Sequence, residues 1–371
     1  MKKGVKFQKA DLKNSPFKVG SIFNPLKLEG RKYPLKYKSL SIDYPTRLNA
    51  MAMDPSKIDM RSDLKYSPGE VVFSIALFKR VSVKKRSDSK ILVSDNSKRS
   101  SLIRHSAILI KKAINFKEGF DIRVNNSKEI RHCGFGSSSG LISSVACALN
   151  EAYGNPISPK DLIRYLAQNH GEEIDGDNDH LNPVQCIGGS AAAGICKGGL
   201  ILLAGESVPI ATMDISDNYK AVIGIPRDIE DLDSDILMKK EIKCLPKFIF
   251  TGKKYGKTIA YNILHKMLPA MISGDLKPVG DVIYEYRYNM GSIKNCSFTY
   301  SKLPKLCADL SFIKKTNIAD VLAISSVGPA IFAITNKPHE CERIFRSKKL
   351  KVYSFLINNN GYKIITRIKN A

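Results

Sequence analysis

Ten residues constrain this chain more than any others: Arg131-His132-Cys133-Gly134-Phe135-Gly136-Ser137-Ser138-Ser139-Gly140. A strand-like run, Phe120-Asp121-Ile122-Arg123-Val124, leads into them. A helical pattern follows, with Leu141, Val145, Ala148, Leu149 and Ala152 on one face and Gly154 and Pro156 as the stop. Strand, glycine-rich loop and helix in that order make a phosphate cradle. Glycines let the backbone approach a ligand, Ser137 is a natural N-cap, and free amides with the helix dipole behind them favour an anion. An ordinary capped loop is the competing reading. No Lys follows Gly140, so this is not a Walker loop.

At 371 residues the chain suggests two domains, and its 43% apolar and 25% charged residues are ordinary for a globular protein. No apolar run is long enough for a transmembrane helix, and the N-terminus lacks a signal-peptide core, so no membrane association is expected. Lys and Arg outnumber Asp and Glu, 59 to 35. A net charge of +24 favours anionic partners, such as nucleotides or phosphorylated metabolites. The basic residues are scattered, without an aromatic-interleaved tract, so nucleic acid is not the expected partner. The eight cysteines form no Cys-x-x-Cys pair, which argues against zinc and for reduced thiols in the cytoplasm.

Several further segments stand out along the chain. Residues 1–38 are basic and proline-punctuated, an arm or an added edge. Ser39-Leu40-Ser41-Ile42-Asp43-Tyr44 reads as a strand that runs into Pro45-Thr46-Arg47-Leu48-Asn49. From His170 to His180 lie five carboxylates and two His, fit for metal ligation, general-base chemistry or a solvated acidic loop. An EF-hand is excluded: counted from Asp175, position six is His180 and position twelve Cys186, where Gly and Glu are needed. Gly188-Gly189 read as a tight entry to the strand Leu200-Ile201-Leu202-Leu203. Ile324-Ser325-Ser326-Val327-Gly328-Pro329 reads as a turn before a buried strand, and Val352 to Ile357 as a closing strand.

Gly134-x-Gly136-Ser137-Ser138 resembles the second motif of the GHMP kinases (galactokinase, homoserine, mevalonate and phosphomevalonate kinases), with Ile130 where the family has Pro. Pro45-x-Arg47-Leu48-Asn49 resembles the first motif, and Ser326-Val327-Gly328-Pro329 the third, with Ser326 replacing a Gly. The motifs stand in family order over about residues 39 to 357. The prefix His132-x-Gly134-x-Gly136 and the stretch Met267 to Leu276 look more like one member, β-ribofuranosylaminobenzene 5′-phosphate synthase.

The resemblance implies an α+β fold of two domains, a nucleotide-binding one at 39–215 and a ferredoxin-like one at 216–371, behind the basic arm at 1–38. It implies a kinase using ATP and Mg²⁺ on a hydroxyl of a sugar, amino-alcohol or related metabolite, itself phosphorylated or otherwise anionic. Gly134, Gly136, Ser137, Ser138, Ser139 and Gly140 would hold the nucleotide, with Ser138 on the metal. Arg47, Asn49, Asn182, Ser326 and Gly328 would meet the substrate. Asp179, with Asp177 and His180 behind it, would orient the hydroxyl or take its proton. Phosphoribosyl transfer is the alternative reaction, a non-catalytic nucleic-acid-binding module the alternative of another class, and a homodimer is compatible with either enzyme.

Overall fold

The structure is a computed structural model that describes residues 15–26, 33–58, 68–126, 129–229 and 234–370. The first half of the chain supplies β1 (Phe17–Lys18), β2 (Tyr37–Ala52), β3 (Glu70–Lys85), β4 (Ile91–Val93), α1 (Ser100–Ile114), β5 (Phe120–Asn125), α2 (Ser137–Ala152) and α3 (Pro159–Gln168). It goes on with β6 (Gly171–Ile174), β7 (Asp177–Pro183), α4 (Gly189–Ile195), β8 (Leu200–Ala204) and β9 (Val208–Met213).

A seven-stranded sheet holds this half together. Its order is β14-β2-β3-β5-β4, where β14 is the last strand of the chain (Lys363–Lys369), and β8 and β9 extend it from the other end of β3. β2 and β3 are each 16 residues long. Their length lets one end of β3 pair with β5 and the other with β8. Pro45 does not end β2 as a proline might. The ladder to β3 shifts register between Tyr44 and Thr46, and this bulge accommodates a residue with no N–H to give. The motif Arg47-Leu48-Asn49 is therefore strand, and alternation sets which of its side chains are buried in the sheet.

The cradle helix α2 packs across α1 and the sheet. Leu141, Val145, Ala148, Leu149 and Ala152 are fully buried, as the periodicity predicts. Burying a side chain of Leu or Val size is worth about 1.5–3 kcal/mol, so this one face fixes the helix, and with it the position of its N-terminus.

The second half begins at β10 (Lys220–Ile225) and continues through α5 (Ser234–Asn262), α6 (Leu268–Ser273), α7 (Leu276–Tyr284), α8 (Ser292–Asn295), α9 (Leu303–Leu310) and α10 (Phe312–Lys315). It closes with β11 (Val321–Ile324), β12 (Ile331–Thr335), α11 (Pro338–Ser347) and β13 (Lys351–Leu356). The four strands form an antiparallel sheet of order β11-β12-β10-β13. Strand, helices, two strands, helix, strand along the chain, with the first and last strands paired in the sheet, is the ferredoxin-like arrangement. The chain is thus α+β, with two sheet-centred halves. They share an apolar core, in which Phe73 of β3 meets Phe332 of β12 edge-on at 5.9 Å.

Three features depart from the sequence reading, and a fourth decides between its alternatives. The acidic segment is not a loop: β6 and β7 form a hairpin turning at Asp175-Gly176. Alternation carries Glu173 and Leu181 inward, enough to hold the hairpin against α1. Gly188 caps the short helix α4 before β8, so the glycine pair opens a helix and not a strand. β14 leaves the second half and pairs with β2, so residues 363–369 join the first sheet. Finally, Phe17 and Lys18 pair with β7, and Phe17 and Val19 enter the core, which makes this part of the arm an added edge. Residues 1–14 and 27–32 of the arm lie outside the described residues.

Candidate active site

The loop before α2 sits where all three motif segments meet. Gly134 has φ +83, and a Cβ there would lie 2.0 Å from the carbonyl oxygen of Ser325. The Ser325 hydroxyl donates to the Gly134 carbonyl at 2.7 Å, and the Arg47 guanidinium reaches the same oxygen at 3.4 Å. Ser325 Oγ in turn accepts the Asn49 N–H (3.1 Å), and the Ser326 N–H donates to the Asn49 carbonyl (2.9 Å). Sites far apart in sequence are thereby stitched into one cleft floor. Gly134 is required there because the third motif leaves no room for a side chain.

Gly136, not Ser137, is the N-cap of α2, in the left-handed region at φ 62. Two glycines with positive φ let the chain turn into the helix one residue earlier than a Ser137 cap would place it. No capping side chain is then present, so the first-turn amides are left for an anion. The serine hydroxyls are turned to other work. Ser137 Oγ accepts from Arg99 at 3.1 Å, and Ser138 Oγ meets both Arg99 and the Glu172 carboxylate. Ser139 Oγ bonds Ser190 Oγ at 2.8 Å. Gly140 lies in the first turn, its Cα face against the Lys79 ammonium.

Arg99, at the start of α1, is 6% exposed at its side chain. Its guanidinium is 2.7 Å from Glu173, 3.4 Å from Glu129 and 3.7 Å from Glu172. Burial alone would raise the Glu172 carboxyl, but His170, Arg99 and the Ser138 hydroxyl outweigh it and hold it down to about 2. Lys79 pairs with Glu129 at 3.6 Å; burial, and then the Arg99 charge, push its ammonium down. Across the cleft, on α5, Glu241 is pushed up to about 7 by burial and by the charge of Glu172. Glu172 is thus the ionised member of the two carboxyls, and Glu241 the one that shares a proton near neutral pH.

The cleft consists of two adjoining cavities of ≈ 160 and ≈ 260 Å³ that share Gly136, Glu172, Val184 and Glu241. Ser137, Ser138 and Asn182 line the smaller. Arg47, Asn49, Ser190, His170 and Ser326 line the larger. A third cavity of ≈ 240 Å³ flanks the cradle, walled by Phe78, Lys79, Asn126, Ile130, Phe135 and Ser137. Two buried side chains brace the floor. Glu70 accepts from the Asn49 amide and from the Gly189 N–H at the start of α4. Arg287 crosses from the second half to the carbonyls of Ala50 (2.6 Å) and Asn49 (3.3 Å).

The structure therefore gathers Gly134, Gly136, Ser137, Ser138, Ser139, Arg47, Asn49, Asn182 and Ser326 at the cleft. Gly328 stands just behind it, its N–H on the Ser325 carbonyl at 2.8 Å. The expected catalytic trio is elsewhere. Asp179 side-chain exposure is 69%, with Arg104 at 3.4 Å, and Asp177 bonds His180 at 3.0 Å on the same exposed end of the hairpin. None of the three lines any of these cavities. The reason is the hairpin: Glu172 lies opposite Asn182 at its cleft end, and Asp179 is three residues, about 10 Å, further along β7. The carboxylate that does reach the cradle is Glu172. Its place in the acidic run was visible in the sequence, whereas Arg99 and Arg287 carried no signal among 59 basic residues.

Comparison with known proteins bears on the fold that carries this site. Residues 101–190, from α1 to the start of α4, match the family described as GHMP kinases N terminal domain. Homoserine kinase from Cytophaga hutchinsonii shares the fold over 91% of this chain and all of its own, with a TM-score of 0.57 at 13% identity. A structure described as MDDEF in complex with MVAPP, AMPPCP and magnesium does so over 88% of this chain and 99% of its own (TM-score 0.55, 14% identity). The chain carries the GHMP kinases' N-terminal domain and their two-domain fold. In sequence it is 24% identical over 226 residues to β-ribofuranosylphenol 5′-phosphate synthase of Archaeoglobus fulgidus. That match takes in 55% of this chain and 61% of the relative. Among the described residues no helix is long and apolar enough to cross a membrane, and all eight cysteines are free.

Proposed function

We propose that the chain is an ATP- and magnesium-dependent kinase acting on a small anionic metabolite. The observation that supports this reading is the meeting of the Ser138 hydroxyl with the Glu172 carboxylate at the uncapped start of α2. Two hard oxygen donors beside free amides suit a magnesium ion that keeps most of its shell from phosphates and water. Among the described residues no group of three or more His, Cys, Asp or Glu side chains could hold a metal alone, which fits an ion that arrives with its nucleotide. The GHMP-fold structure containing AMPPCP and magnesium gives the same pairing in a relative. When bound, the metal neutralises charge on the transferring phosphoryl group.

The chain's own residues do the rest. The half-apolar cavity at Phe78 and Ile130 takes the nucleoside, and the amides of Ser137 to Ser139 take the polyphosphate. Arg47, held by Ser190 and the Gly134 carbonyl, and Asn49, held by Glu70 and Arg287, position the acceptor in the larger cavity. Asp179 has no part in this arrangement. Catalysis is mainly positioning and charge neutralisation, which suffices for phosphoryl transfer.

The relative from Archaeoglobus fulgidus favours a second reading, phosphoribosyl transfer with pyrophosphate release. A screen separates the two. Incubation with ATP, or with phosphoribosyl pyrophosphate, over a panel of sugars, amino-alcohols and hydroxybenzoates should yield acceptor-dependent ADP. Pyrophosphate without ADP would overturn the kinase reading.

A further inference from the structure

Arg99 is the buried cation nearest the cradle hydroxyls, and no motif assigns it. Its guanidinium bonds Ser137 and Ser138 on one side and three carboxylates, Glu129, Glu172 and Glu173, on the other. Resting on the nucleotide reading above, we propose that Arg99 is a polyphosphate-binding residue that keeps the metal site closed until the nucleotide arrives.

Two physical facts lead there. A guanidinium is a planar fork that suits phosphate oxygens in pairs, and it never loses its charge. Where Arg99 now lies, it is both within reach of the anion site at the α2 start and against the two groups, Ser138 and Glu172, that would ligate magnesium. A divalent cation cannot take Glu172 while a fixed cation stands beside it and holds Ser138. A polyphosphate at the α2 amides changes the balance. It offers Arg99 a denser negative partner, the fork turns from Glu172 to phosphate, and Ser138 and Glu172 are left to the metal. Glu129 and Glu173 still neutralise part of the guanidinium charge, so the residue stays in place when the nucleotide leaves. Binding is thereby ordered, nucleotide first and metal second, and the two bind cooperatively by linkage.

The test uses the full chain, ADP as the nucleotide and Mn²⁺ as a spectroscopic stand-in for magnesium. Wild type should bind ADP in EDTA by calorimetry, and should show no Mn²⁺ binding by electron paramagnetic resonance without nucleotide. Arg99→Gln should weaken metal-free ADP binding about tenfold or more, the scale of losing a charged hydrogen bond, and should acquire a Mn²⁺ site in the free protein. Equal Mn²⁺ binding by wild type and Arg99→Gln without nucleotide, or unchanged metal-free ADP affinity, overturns the proposal and leaves the kinase reading standing. Absence of ADP binding by wild type with and without Mn²⁺ overturns both. If circular dichroism shows that Arg99→Gln does not fold, Arg99→Lys carries the test. An ammonium cannot span both serines, so metal-free ADP affinity should still fall at least threefold, and no change overturns the proposal.

Discussion

Gly134 and Gly176 provide a useful comparison, because both sit at φ +83 in different surroundings. A Cβ at Gly176, in the turn of the β6–β7 hairpin, meets nothing within 4 Å. A Cβ at Gly134 would stand 2.0 Å from the backbone oxygen of Ser325 and 2.8 Å from its carbonyl carbon. Gly176→Ala therefore bears only the left-handed backbone cost, roughly 1–2 kcal/mol. Gly134→Ala bears the same cost and must also push the third motif away from the cradle. That displacement breaks the Ser325–Gly134 hydrogen bond and disturbs the Ser326–Asn49 bond beside it, each worth about 1 kcal/mol net. We expect Gly134→Ala to lose at least about 2 kcal/mol more than Gly176→Ala. At about 2–4 °C per kcal/mol for a domain of this size, the gap in melting temperature is about 4–8 °C. Scanning calorimetry of the two variants measures it. Melting temperatures within about 1 °C of each other would refute the reasoning that the three motifs are locked together at Gly134.

Three further outcomes follow from the structure. His105 is fully buried, its Nδ1 accepting from the Gly20 N–H at 2.9 Å and its Nε2–H therefore donating to the Asn169 carbonyl at 2.7 Å. Burial depresses its pKa to about 4, so the folded protein binds fewer protons than the unfolded chain between 6.5 and 4. The stability this neutral ring contributes is complete above 6.5 and falls by up to about 3 kcal/mol as pH drops to 4; urea unfolding at pH 7 and pH 5 should show the decline, and His105→Gln should flatten it. Glu172→Gln should remove most of the gain in ADP affinity that magnesium provides, while Asp179→Asn, at the exposed end of the hairpin, should leave both affinity and turnover within about twofold; calorimetry with and without Mg²⁺ distinguishes them. Arg287→Met takes the guanidinium donor from the Ala50 carbonyl in a buried site, while the Asn49 carbonyl keeps the Ser326 N–H, at a cost of about 1–3 kcal/mol, and should lower the melting temperature without altering ADP affinity.

Local periodicity made α2 and the strand β5 legible, because their apolar residues repeat at helical and at alternating spacing. The cradle was legible for a different reason: glycine and serine ahead of a helix are needed by its geometry whatever packs around them. Reading failed where non-local contacts decide. Pro45 looks like a strand end until β3 supplies a bulge for it. β14 looks like a tail of the second half until β2 offers it an edge. The acidic run holds Glu172 and Asp179 seven residues apart, and only the hairpin register shows that one reaches the cradle and the other points to solvent. Arg99 belongs to the site solely because α1 starts beside α2.

The central claim is that the start of α2 receives the phosphates of a magnesium nucleotide. A crystal structure with a non-hydrolysable ATP analogue and Mg²⁺ tests it most directly. The account predicts phosphate oxygens on the amides of Ser137 to Ser139, the metal between Ser138 and Glu172, and the Arg99 guanidinium turned from Glu172 to phosphate. A nucleotide bound with its phosphates away from α2, or metal density at Asp177, Asp179 and His180 with none at Glu172, would contradict it.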